Sequence, residues 1–421
     1  MKKYTLTAIA LAVACASQAH AAGYQLNEYS ITGLGRSFAG AGVMGDDYSA
    51  LAYNPAGMTL VKRSGFQAGL TMAEMISDIK GNGDYEGQST DMHYGVPLPS
   101  GFGQWNVNDK LFVGAGIYAP YGLSTKHDQE GFVAQTARKS ELEVIDSSVA
   151  AAYKVTDKLS LGATVTLRYI HGHMTGDKYN PLNPSMKIGD FNYDLDGWTG
   201  AGIIGAMYEF TPDTRVGISY KFRSIQKVKG DFTYNSQVPS GTILGTVYGS
   251  VVYAPDSAVA SDGLSSPDLP ASVLVSAYHK ATDKIGLSTS VRWTEWNKSF
   301  SSFSMESSFP GSSVTQQYDW RNTWTVSAGA DYYHNENWTF RVGTAYDQSP
   351  AKSQFNRTNR IPDTNRIWLS AGLSYTSDNW QIDAGYAHLF MQKGNVAMEG
   401  NTPAEYSSSA NMYGINFQYK F

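Results

Sequence analysis

The chain holds a single cysteine, Cys15, and it sits inside an apolar leader. Lys2 and Lys3 precede the run from Leu6 to Ala16, and Ala19-His20-Ala21 places small residues where a signal peptidase reads them. Residues 1–21 are therefore expected to be removed, leaving no disulfide, no thiolate metal site and no cysteine nucleophile. A lipid on Cys15 is the weaker reading, because Ala12-Val13-Ala14 is a poor lipoprotein signal. Beyond the leader no run of eighteen or more apolar residues exists, which excludes a transmembrane helix. Excess positive charge is missing too: the formal net charge of −5 becomes −7 once the two lysines leave, so nucleic acid is not an expected partner. No Ser-His-Asp or metal-ligand spacing falls on a common framework, although His171 and His173 stand two apart at a strand end. The expectation is a protein that is not an enzyme, with no cofactor and no dedicated metal site.

A large store of tyrosine and glycine, 28 and 42 residues, favours strands and turns over helices. Leu161, Ala163, Val165, Leu167 and Tyr169 share one strand face, while Ser160, Gly162, Thr164, Thr166 and Arg168 take the other. The pattern recurs at Ile204 to Phe210, Val216 to Phe222, Ala271 to Ala277, Ile285 to Val291, Trp324 to Ala330 and Ile367 to Leu373. A soluble sandwich and a membrane barrel share this local pattern, and punctuation separates them. Short polar turns fall near Asp109, Asp157, Asp213, Asp283, Glu336 and Asp378. Much longer polar segments alternate with them: Lys80 to Pro99, Thr125 to Lys139, Thr175 to Asp196, Asn235 to Asp268, Ser301 to Gln317, Asp347 to Asn365 and Gln392 to Ser409. Short turns on one rim and long loops on the other are the mark of outer-membrane barrels. Six turns join twelve strands, and one more strand at each end gives an all-β, fourteen-stranded antiparallel transmembrane barrel over residues 63–421. Trp105, Phe112, Trp338 and Trp380 beside the turns suit an interfacial girdle, and the last strand carries Tyr413, Ile415, Phe417, Tyr419 and Phe421 on one face.

The stretch from Ala22 to Met58 is punctuated by glycine and has no period of 2 or 3.6, so it is expected to be neither barrel strand nor helix. Residues 22–62 read as a hatch plugging the lumen. Asn54, Pro55, Ala56 and Gly57 carry the preferences of a type I turn. The Gly33 to Gly42 run lacks the preceding strand of a phosphate-binding loop, and Asn54-Pro55-Ala56 lacks the paired half-helices of a water channel.

Over nearly the whole mature chain the sequence resembles the FadL family of outer-membrane transporters. The resemblance rests on Gly23-Tyr24-Gln25-Leu26-Asn27-Glu28, Gly33-Leu34-Gly35-Arg36, Asn54-Pro55-Ala56, Tyr121-Gly122-Leu123 and Asp363-Thr364-Asn365-Arg366-Ile367-Trp368-Leu369-Ser370. It implies a bacterial outer-membrane barrel that passively takes up long-chain fatty acids or similar hydrophobic compounds. Cargo, whether fatty acid, detergent or aromatic hydrocarbon, would pass from a lumen site sideways through a gap at a kinked third strand. Here that strand carries Pro120, Tyr121 and Gly122, where proline removes a ladder donor and glycine weakens pairing. Outer-membrane lipid, lipopolysaccharide and a monomeric state complete the implied setting; an aqueous porin or a surface adhesin are the alternatives. Arg168, Arg341 and Arg366 fall on polar faces and are candidates for a head group or for bracing the lumen, and Asp347 stands opposite Arg366 for a cross-strand pair. At the positions of the family's ligand-facing cations the sequence has His173 and an uncharged residue near Gln316, which keeps aromatic hydrocarbons open as cargo.

Overall fold

The alternation read from the sequence becomes fourteen strands that close on themselves. The computed structural model describes residues 23–128, 131–180, 182–225, 228–239, 241–247, 250–253, 258–265, 268–299, 302–307 and 314–421. The leader, residues 1–21, and Cys15 lie outside the described residues, as does the side chain of Gln316.

The wall is β1 (Gly65–Gly81), β2 (Ser89–Asn106), β3 (Leu111–Lys126), β4 (Lys139–Lys154), β5 (Leu159–Asn180), β6 (Asn183–Thr211), β7 (Thr214–Lys221), β8 (Ser272–Thr282), β9 (Ile285–Thr294), β10 (Thr323–Tyr333), β11 (Trp338–Asp347), β12 (Arg366–Thr376), β13 (Trp380–Met391) and β14 (Ala404–Lys420). Each pairs antiparallel with the next, and β14 returns to β1 from Gly65↔Lys420 to Gly81↔Ala404. Closure leaves no edge at membrane depth except where two neighbours part, which makes any such place informative. The six short turns fall as the sequence places them.

Lipid explains the outward face. Val149, Val165, Leu167, Ile204, Ile415 and Phe421 stand exposed on it, while Ser160, Thr164, Thr166 and Arg168 are buried inside. Phe112 is a correction: at 2% exposure it points into the lumen, on the opposite parity to the outward Trp105 and Val113, and takes no part in the girdle. Ala271 precedes its strand rather than sharing the face of Val273 and Val275.

Several segments taken as long loops are largely strand. β5 and β6 run on to Asn180 and from Asn183, and the region 235–268 holds Ile243–Val247, Ser250–Tyr253 and Ala258–Ser265. Ser302–Ser307 and Val314–Gln317 extend the wall in the same way, and β1 and β2 leave only a short connection after Gly81. Above the bilayer both faces of a strand meet water, so the apolar alternation that marks strands at membrane depth disappears while backbone pairing persists.

Residues 23–62 lie inside the ring. The segment is not free of helix: Ser30 caps a single turn, α1 (Ile31–Leu34), and 3-10 turns follow at Ser49–Ala52 and Pro55–Leu60. One turn of helix is too short to leave a 3.6-residue period in sequence.

Candidate functional site

Side chains of the inner segment reach the wall on all sides. Arg36 Nη1 lies 2.7 Å from Asp46 and 2.8 Å from Asp331 on β10. Arg341 on β11 lies 3.0 Å from Asp331 and 3.3 Å from Asp46. Two guanidinium groups and two carboxylates thus interlock, with one of each contributed by the inner segment. Next to them the buried Asp383 accepts from Gln381, Asn416 and Gln418 at 2.7 to 2.8 Å. Where backbone meets backbone the wall is glycine: a Cβ on Gly343 would come within 2.1 Å of the Arg36 carbonyl carbon.

Asn54 to Gly57 form the expected turn, continued as a 3-10 helix. Gly57 N–H donates to Asn54 O at 2.9 Å, the Asn54 side chain accepts from Ala56 N–H at 3.1 Å, and its Nδ2 donates to Ala206 O on β6. Gly57 is required, since a Cβ there would meet Gly42 O at 1.9 Å. Loss of this cap costs about 1 kcal/mol and freeing the proline adds chain entropy, so Asn54→Ala with Pro55→Ala is expected to loosen the segment. Greater entry of bulky antibiotics into cells with an intact heat-modifiable barrel is the expected result; unchanged permeability and uptake would count against a seating role for this turn.

Among the described residues the wall parts between β2 and β3. β2 and β3 pair only from Gly101↔Ile117 to Asn106↔Phe112, although β1 follows β2 up to Ser89 and β4 follows β3 up to Lys126. Pro120 lies in a bulge against β4 between Tyr118 and Tyr121, so β3 stays continuous and bends, rather than ending in a loop. The opposite edge carries Pro97 and Pro99, which sequence reasoning missed. Their register with β1 is unbroken, so these two nitrogens without hydrogens belong to the edge facing β3. Pro-Leu-Pro inside an alternating strand was the available signal. Above the gap the Tyr94 hydroxyl donates to Ser124 O, so the opening is a bounded window.

The inner segment backs that window. Leu26 N–H donates to Pro120 O and Gly122 N–H to Tyr24 O, both at 2.9 Å, so residues 24–26 take the β3 edge that β2 leaves. Tyr29 stacks on Tyr53 at 4.5 Å and lies 4.8 Å from Tyr118, closing the window from inside. Gly23 N–H donates to Asp363, which also holds Arg366 at 2.5 Å, anchoring the start of the segment.

Beside this lies a packed aromatic cluster. Tyr24 stands 4.8 Å from Trp296 and 6.0 Å from Tyr121, and Trp296 meets Trp320 edge-on at 5.4 Å. Leu123, Val144, Ile170, Leu195 and Leu269 complete the apolar cluster. Of the two roles expected for the arginine candidates, bracing the lumen is the one their contacts match. Arg168 is fully buried and bidentate to Asp146 at 2.6 and 2.7 Å, Arg341 serves the network above, and Arg366 pairs with Asp347 at 3.3 Å as the cross-strand register predicts. Each is committed to carboxylates. His173 is a correction: it shares the outward parity of Leu161 to Tyr169, standing 3.6 Å from Asp194, so it does not face the lumen. Two cations that sequence reasoning passed over take its place. Lys221 Nζ lies 4.5 Å over the Tyr121 ring, and the buried Arg292 donates to Asn27 and stands within electrostatic reach of Tyr121 and Lys221. Among the described residues neither has a carboxylate within ion-pair distance.

The family model for outer membrane transport proteins of the OMPP1/FadL/TodX type matches residues 12–421. A long-chain fatty acid transport protein of Escherichia coli O6:H1 is 30% identical over 453 residues, covering 99% of each chain. Outer membrane protein P1 of Haemophilus influenzae is 29% identical over 482 residues and covers all of both chains. In fold, the chain is similar to a Pseudomonas aeruginosa FadL homologue, with TM-score 0.85, 24% identity and coverage of 95% of this chain and 100% of the other. It is also similar to the Ralstonia pickettii toluene transporter TbuX, with TM-score 0.69, 21% identity and coverage of 93% and 98%.

Proposed function

The chain belongs to the OMPP1/FadL/TodX family of outer membrane transport proteins, and from that premise we propose that it takes up long-chain fatty acids and releases them sideways between β2 and β3. Transport is passive and the cargo is unchanged by it; no chemical step is part of this reading. The observation that carries the lateral route is the β2–β3 window, with donors removed at Pro97, Pro99 and Pro120.

The physics of the cargo favours the same exit. A methylene gains about 0.8 kcal/mol on leaving water for hydrocarbon, so a long acyl chain would meet roughly 10 kcal/mol at an aqueous periplasmic mouth. A window in the wall avoids that barrier. Stranded backbone donors at membrane depth are costly, and three prolines shorten their number. Residues 23–62 act as a hatch: they fill the lumen below, and their Tyr24–Leu26 and Tyr29 hold the window shut between passages. The head group rests between Lys221 and Arg292, with the chain against Tyr24, Trp296 and Trp320. Neutral aromatic hydrocarbons, the cargo named for the toluene transporter, would leave those two charges without an anion. The working form is a monomer set in lipid and lipopolysaccharide.

Replacing Pro97, Pro99 and Pro120 together by threonine restores three donors and is expected to let β2 and β3 pair upward from Gly101. Uptake of labelled fatty acid by cells should fall at least tenfold at equal surface expression. A well-folded triple variant that transports at the parental rate overturns the lateral route. Planar-bilayer recording separates the porin alternative, for which a steady ohmic conductance would be required.

A further inference from the structure

We propose that the outer face of β3 to β6 carries a binding site for a phosphorylated sugar of an outer-leaflet glycolipid, independent of the transport site. The outward surface of these strands changes character in rows. Val149↔Val165 lies in the lipid-facing belt, with Val165 67% exposed, and the belt ends at the paired rings of Tyr169 and Trp198, 4.9 Å apart. Above come Glu143–His171–Asp196 and Glu141–His173–Asp194, then Lys126–Lys139–Thr175–Asn192. Trp198 and Asn192 are six residues apart on β6, which at 3.3 Å per residue and a tilt near 40° puts the top row about 15 Å above the aromatic pair. That is the height of sugars, beyond the acyl chains.

A cavity of about 250 Å³ opens at this row, with room for one sugar phosphate. Lys126, His127, Arg138, Lys139, Asp190 and Asn192 line it. Its polar groups are incompletely used. Asn192 Oδ1 is buried without a hydrogen-bond partner, an acceptor waiting for a hydroxyl or amide donor. His127 is 3% exposed, and its buried Nδ1 has no partner. Its Nε2 lies 3.1 Å from Tyr406 Oη, which also accepts from Asn359 Nδ2 at 3.1 Å. Arg138 is paired with Asp177 at 3.1 Å and Lys139 with Glu141 at 2.6 Å, while Lys126 has no carboxylate within ion-pair distance among the described residues. A free cation beside an orphan acceptor matches a molecule that presents phosphate oxygens and hydroxyls together. Continuity with the lipid-facing belt assigns that molecule to the membrane rather than to the medium.

Native mass spectrometry of lipid-stripped protein tests this with three probes: lipopolysaccharide bearing a phosphorylated inner core, lipid A alone, and glucose 6-phosphate. Comparison is with Lys126→Gln and Asn192→Leu, singly and together, none of which touches the lumen. The expected result is retention of the core-bearing glycolipid by the parent, at least tenfold weaker retention by the double variant, equal binding of lipid A to both, and no retention of the free sugar phosphate. Equal retention of the core-bearing glycolipid by parent and double variant overturns the site. Binding of glucose 6-phosphate as tight as that of the glycolipid overturns the assignment to a membrane lipid. Fatty acid uptake should be unchanged in these variants, so failure here leaves the transport reading untouched, and failure of that reading leaves this one.

Discussion

Lys221→Met is expected to weaken binding of a long-chain fatty acid by about 30-fold, while an alkane or toluene binds as before. A hydrogen bond to a charged group is worth about 2 kcal/mol, and that energy is a factor of roughly 30 in affinity. Local charge sets the effect. Around Tyr121 stand Arg168, Lys221 and Arg292, and Arg168 already takes both oxygens of Asp146. Two buried or half-buried cations without an anion are costly in the empty lumen, so an anionic ligand gains twice, by forming contacts and by relieving the unpaired charge. Arg292→Met should act in the same direction, and the pair together should lose most discrimination between acid and hydrocarbon. Isothermal titration in detergent with a fatty acid and its hydrocarbon analogue reads the difference. Equal loss for both ligands would make Lys221 a packing residue, and no loss for either would return the cargo to neutral compounds.

Arg36→Met is expected to produce a leak. It removes one member of a buried four-charge network and leaves Asp46 and Asp331 with only Arg341 between them. Removing one partner of a buried pair costs about 3–5 kcal/mol, which multiplies the population with an unseated inner segment by roughly a hundredfold to several thousandfold. The strands themselves keep their ladders, so heat-modifiable migration should be preserved. Planar-bilayer recordings should pass from silence to frequent openings, and a silent Arg36→Met barrel would remove this network from the sealing of the lumen.

How much could be read in advance follows from what each residue faces. Lipid imposes one demand on every second residue, so Leu161 to Tyr169 and Ile367 to Leu373 were legible from sequence as strands, and the turns between them as their ends. The extensions of β5 and β6 were not, because water on both faces makes no such demand. Parity alone would have turned His173 outward, since it is even-numbered steps from Leu161. Arg168 and Arg292 were indistinguishable, both being arginines on the polar face. Whether such a residue meets a carboxylate depends on the register of a neighbouring strand, as with Asp146↔Arg168, and register across strands is not written locally in the chain. Lys221 was hidden for a similar reason, being the last residue of its strand, where parity fades.

The position of the inner segment at the start of the chain governs the order of assembly. Arg36 and Asp331 meet across 295 residues, and Phe421 N–H returns to Ser64 O beside the junction of β1 and β14. Contacts of such long range are slow to form and come late. The first-made segment therefore has no complete set of partners until the last strands arrive. A wall that gathers round it meets these partners as it closes, so the segment that later obstructs passage is also a core on which the cylinder can be wound.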